Sequence, residues 1–111
     1  MKKLLIRFSA VLVSIASIFM IATPAAHAGM PIVWNSRGGS IPMYYAPTNA
    51  TYVKSWLPNS SKFYMICYTD HQWYTGNYRT NRWFYGQSLA TGQYGYVNAS
   101  WVYYQWKVRR C

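Results

Sequence analysis

The sequence predicts a small all-β domain behind a removable N-terminal leader, and three observations carry the expectation. After residue 28, no stretch keeps apolar residues at three- and four-residue spacing for the length a helix needs. Tyr, Trp, Val, Thr and Phe dominate that region, within a chain of 12 Tyr, 6 Trp and 4 Phe, and these residues suit a pleated, half-buried surface. Gly, Asn, Pro and Ser gather between the candidate strands.

The leader occupies residues 1–28. Lys2, Lys3 and Arg7 precede an uncharged apolar run from Phe8 to Ala22, followed by Pro24 and the triplet Ala26-His27-Ala28. That order is the pattern of a secretory signal peptide, with an apolar helical segment and cleavage after Ala28. The apolar run is short for a membrane span, which takes roughly 20 residues. Removing 28 residues from 111 leaves 83, enough for a single domain over 29–111.

A core of that size is marginal and calls for covalent support. Cys67 and Cys111 are the only cysteines, and an exported chain meets conditions in which disulfides persist, so they are expected to pair. Their separation of 44 residues corresponds to about 4 kcal/mol in the chain-entropy model.

Strands are expected near 31–36, 41–46, 62–69, 81–87, 93–98 and 102–105. Arg37-Gly38-Gly39-Ser40 reads as a turn, and Pro47 to Ser61 as a long connection with a short strand or helical turn around Tyr52 to Leu57. Asp70 to Thr80 reads as a third loop, centred on Gly76-Asn77. From Lys62 to Thr69, alternation places Phe63, Met65 and Cys67 on the core face and Tyr64, Ile66 and Tyr68 on the other.

The run from Arg82 to Val102 resembles the second half of a Src homology 3 (SH3) domain. Trp83-Phe84 matches the aromatic pair that opens a strand, Ser88 to Gln93 the polar hairpin, and Gly95-Tyr96-Val97 the next strand. Asn98 to Trp101 matches the short 3₁₀ turn, and Val102 the start of the final strand. The match spans about a quarter of the exported chain, and Phe63 to Cys111 is similar to small secreted SH3-like proteins of Gram-positive bacteria, particularly actinobacteria. The resemblance implies an SH3-like barrel of five to six short strands with one 3₁₀ turn. It also implies a ligand groove lined by Trp83 and Trp101 and completed by Tyr44 and Tyr45. Asn98 stands where a groove proline usually lies, and the first loop carries no acid. These departures argue against an arginine-bearing proline-rich ligand, and the resemblance to bacterial SH3-like modules implies a peptidoglycan peptide.

Charge and rings suggest the kind of partner. Of 11 Lys and Arg, three lie in the leader and eight remain against one acid, Asp70, a net charge of +7. Such a domain is drawn to polyanions such as cell-wall polymers or anionic membrane surfaces. Nucleic acid is not expected, because export is predicted and the basic residues are scattered singly. The domain also carries more rings than one small core can enclose. Trp34, Phe63, Phe84 and Tyr96 are assigned to the interior. The segment Trp73-Tyr74 with Tyr78, Arg79 and Arg82 is the sharpest surface candidate, since rings beside guanidinium groups stack on sugar or peptide planes and attract phosphate or carboxylate.

Catalysis is not expected. Asp70 and His71 are the only carboxylate and imidazole after residue 28, and as neighbours in an extended segment they point to opposite faces. Metal and cofactor are expected to be absent as well. Asp70 is expected to start a turn or to pair with an arginine such as Arg79. The functional expectation is a secreted, monomeric, non-catalytic module that binds a cell-wall polymer or peptide. Its site residues would be Tyr44, Tyr45, Trp73, Tyr74, Arg79, Arg82, Trp83 and Trp101. The alternatives are a cationic toxin or bacteriocin acting at membranes, and an inhibitor or partner of an extracellular protein.

Overall fold

The computed structural model describes residues 29–111; the leader expected over 1–28 lies outside the described residues. β1 (Ile32–Val33) and β7 (Val102–Tyr103) pair antiparallel as a two-stranded sheet. The other strands are β2 (Ile41–Tyr44), β3 (Val53–Leu57), β4 (Phe63–Thr75), β5 (Arg79–Ser88), β6 (Tyr94–Asn98) and β8 (Arg109–Arg110). They form a six-stranded sheet in the order β3-β2-β6-β5-β4-β8. This sheet is mixed, because β8 runs parallel to β4 while the other neighbours are antiparallel. Ala99–Trp101 forms the expected 3₁₀ turn, capped by Asn98, whose side-chain oxygen accepts from the Ser100 amide at 3.0 Å.

The SH3-like barrel does not form. Closure would require the terminal strands of the sheet to pair, yet β3 and β8 stand at opposite ends of it and β1 pairs with β7 in a separate sheet. The reason lies at β4. Its outer edge is taken by the C-terminal β8, with Cys67 and Tyr68 opposite Arg109 and Arg110. The Cys67–Cys111 disulfide, expected from sequence and present in the structure, pins that pairing, and the Cys111 amide donates to the Tyr68 carbonyl at 2.8 Å. An edge closed by the chain's own terminus is unavailable for joining the sheet into a cylinder.

One of the alternatives read for the Pro47 to Ser61 connection is the one that forms, and one expected loop does not. The region around Tyr52 to Leu57 supplies the edge strand β3, Val53–Leu57, the strand alternative; most of the Asp70 to Thr80 segment, expected as a loop, is strand instead, leaving Gly76-Asn77-Tyr78 as the turn. The polar run Asp70-His71-Gln72 hides this because it interrupts the alternation. The ladder absorbs the run in a bulge, where β4 advances four residues from Asp70 to Tyr74 while β5 advances two, from Thr80 to Arg82. A second bulge leaves Ile66 without a register partner, so that beyond it Tyr68 stands opposite Phe84 and packs against the core.

The core gathers Val33, Ile41, Met43, Leu57, Phe63, Met65, Phe84, Val97, Ala99, Trp101 and Val102. Phe63 and Phe84 are interior as expected, whereas Trp34 and Tyr96 are only partly covered. Gly95 lets β6 approach β2, since a Cβ there would lie 2.9 Å from the Tyr44 carbonyl oxygen.

Candidate functional site

Four of the eight residues expected in the site lie together, three of them buried and Tyr74 partly so. The Trp83 ring stands 5.9 Å from Tyr44 and 5.4 Å from Tyr74, and Tyr74 stands 6.2 Å from Trp101, centroid to centroid. Edge-on and tilted contacts of this kind are the favoured geometry for stacked quadrupoles. Relative exposures of 0% for Trp83, 6% for Trp101 and 8% for Tyr44 leave no open groove here. The Trp83 indole N–H donates to the Gln72 carbonyl at 2.8 Å, and burial, aided by the neighbouring Tyr74 phenol, pushes the Tyr44 hydroxyl up to about 12.

The β4–β5 turn explains the enclosure. It folds back over the 3₁₀ turn, where a Cβ on Gly76 would collide with Ser100 Oγ and lie 2.8 Å from Trp101 Cε2. Asn77 fastens it: Nδ2 donates to the Trp34 carbonyl at 2.7 Å and to the Ser100 carbonyl at 2.9 Å, and Oδ1 accepts from the Ser36 amide at 2.9 Å. Gly76 and Asn77 were legible as a turn, but its contact with Trp101 was not.

The other four expected residues lie at the surface in three places, Trp73 and Arg79 sharing one of them. Tyr45 is 61% exposed, with the Lys54 ammonium 5.3 Å from its ring centre. A broad depression of about 610 Å³ adjoins Tyr45, Ala50, Thr51 and Tyr52 but has no charged residue in its wall. Trp73 is 55% exposed, and the Arg79 guanidinium lies 5.1 Å from its ring, near the exposed Tyr78. Arg82 leaves this group. Its Nε and Nη2 donate to the two carboxylate oxygens of Asp70 at 2.8 and 3.1 Å, and its guanidinium lies 4.1 Å from the Tyr68 ring centre. The partner of Asp70 is therefore Arg82 and not Arg79, and its hydrogen bonds hold the carboxyl below the usual carboxylate range.

Around Arg82 the chain builds a pocket of about 270 Å³ walled by Tyr68, Phe84, Gln105, Trp106, Lys107 and Val108. Arg110 adds a second guanidinium 5.0 Å from the Tyr68 ring. Trp106 is fixed from both sides: its amide contacts the Met65 sulfur at 3.2 Å, and its ring stands edge-on to Tyr64 at 5.2 Å. Gln105 Nε2 donates to the Val102 carbonyl at 3.0 Å and to the Ala99 carbonyl at 3.2 Å, which orders the start of the segment. Sequence reasoning missed Tyr68, Trp106, Lys107 and Arg110. A usable signal existed, because pairing Cys67 with Cys111 necessarily brings residues just before Cys111 beside Tyr68.

A third cleft, about 230 Å³ between Ile32, Trp34, Tyr103 and Tyr104, is apolar. Among the described residues, no group of three or more His, Cys, Asp or Glu is placed to hold a metal ion, and no helix is long and apolar enough to cross a membrane. Comparison with known proteins found no family model, curated protein or solved structure that matches the chain.

Proposed function

We propose that residues 29–111 form an exported, non-catalytic module that binds an anionic polymer of the bacterial cell wall. One observation carries the reading: rings and cations are paired at the water-facing surface, as Lys54 with Tyr45, Arg79 with Trp73, and Arg82 and Arg110 with Tyr68. Each charged head lies against its ring, which keeps it at the surface where its outward donors can meet an anion, and the exposed rings of Tyr45 and Trp73 offer a stacking plane for a sugar or polyol. The charge balance favours the same class of partner, with eight cations against one carboxylate after residue 28. A wall polymer is preferred to a peptidoglycan peptide because the rings that would line a peptide groove, Tyr44, Trp83 and Trp101, are enclosed.

The test is co-sedimentation of the purified protein with isolated cell walls before and after removal of teichoic acid. Retention on intact walls and its loss after stripping are expected. Failure to sediment with any wall removes the reading, and leakage of dye from anionic vesicles at micromolar protein would put membrane action in its place.

A further inference from the structure

Resting on that wall-binding reading, we infer that the pocket between the β4–β5 ladder and the segment Gln105–Val108 is a binding site for a phosphodiester group. Two cations, Arg82 and Lys107, line this pocket, and a third, Arg110, stands beside it over the Tyr68 ring. Arg82 gives one side of its fork to Asp70 through Nε and Nη2, which leaves Nη1 without a partner among the described residues. Lys107 lines the same pocket and makes no ion pair there. Arg110 approaches the shared Tyr68 ring from β8. These cations come from three separate segments, the β5 strand, the C-terminal connection and β8.

That arrangement distinguishes among anions. A planar carboxylate is satisfied by a single guanidinium fork, and Asp70 already occupies the one Arg82 presents. A tetrahedral phosphate takes donors from several directions, and the compact ammonium of a lysine serves it as a point charge. Arg82 and Lys107 in the wall, less the Asp70 carboxylate bonded to Arg82, leave a local charge of +1, matched to the single charge of a phosphodiester, while Arg110 adds a further attracting charge beside the Tyr68 ring. Tyr68, Phe84 and Trp106 supply apolar walls for the carbon chain or ring on either side of the phosphorus. The shared chemistry is thus a phosphodiester flanked by a polyol, found both in wall polymers and in lipid headgroups.

The experiment follows the Trp106 indole and Arg82 Nε–H signals by NMR in the purified, oxidised protein. The small phosphodiester glycerophosphoglycerol is titrated in, and diglycerol serves as the uncharged control. Saturable shifts with the phosphodiester alone are expected. Affinity should fall by about tenfold in Lys107→Gln and in Arg82→Gln and stay unchanged in Arg37→Gln, which lies on an exposed turn and lines no part of the pocket. Lys107 is exposed and unbonded, so its variant should keep the wild-type melting temperature and tests the pocket even if Arg82→Gln unfolds. Absence of shifts, or equal affinity in Lys107→Gln, overturns the site. Wall retention that survives such a failure would leave the broader reading standing. Phosphodiester binding without wall retention would sink that reading and keep the pocket. Phosphatidylglycerol vesicles separate the two sources, since displacement of the soluble ligand by vesicles but not by wall fragments would assign the phosphodiester to lipid.

Discussion

Tyr44 shows how a ring expected to meet a ligand becomes part of the interior. Its hydroxyl is raised to about 12 because the neutral phenol suits the enclosed site better than phenolate does. The sign of the consequence follows from linkage. In the unfolded chain the group ionises near 10, so the stability it contributes is complete below that pH and is lost as pH rises through 10 toward 12. At about 1.4 kcal/mol per unit the loss has an upper bound of roughly 3 kcal/mol. Alkaline melts should show it: Tyr44→Phe, which cannot ionise, should lose less stability between pH 9 and about 12 than the wild type. Equal losses would mean that other groups control alkaline unfolding. Asp70 behaves oppositely. Its lowered carboxyl contributes stability above the usual 3.8 that is lost on acidification below it, and as an exposed pair with Arg82 it contributes at most about 1 kcal/mol.

At the scale of elements, β4 and β8 determine most of what the domain can do. The two-residue β8 has too few ladder bonds to hold itself, so the Cys67–Cys111 link is what keeps Arg110 over Tyr68 and the Gln105–Val108 segment against the sheet. Cys111→Ser should therefore lower stability by about 2 to 4 kcal/mol and, at temperatures where the domain stays folded, abolish the pocket's affinity for glycerophosphoglycerol. Retained affinity in the folded variant would show that β8 docks without its covalent tie.

The same pair of strands marks how far the sequence could be read. Its β character and the close approach at Gly95 were legible from local residue choices, the disulfide from the two cysteines of a chain read as exported, and the 3₁₀ turn after Asn98 from the resemblance of the Arg82 to Val102 run. The open sheet was not, since barrel closure depends on which edge meets which, and nothing in the run from Trp83 to Val102 reveals that β8 takes the edge of β4. The site was half legible for a similar reason. Arg82 and the Trp73–Arg79 pair could be picked out as rings beside guanidinium groups. Trp73 lies within the bulge of β4 between Asp70 and Tyr74, where simple alternation assigns no face.

Across the whole molecule, the imbalance of charge and the distribution of rings act together. Eight cations against one acid give a field that draws the domain to a polyanion from a distance, while exposed rings such as Trp73 and Tyr45 act only on contact. The two contributions separate by salt. Raising ionic strength from 0.1 to 1 M shrinks the screening length from about 10 to about 3 Å, so most of the protein retained on cell walls should elute. Retention indifferent to salt would mean that stacking alone holds it. The interior ring cluster has a practical consequence as well. Trp83, sealed from water and anchored through its N–H, should fluoresce at shorter wavelength than Trp73 and Trp56, which stand open to solvent. Iodide should quench the red side of the emission first, giving the domain a built-in optical gauge that reports separately on its sealed centre and its wetted skin.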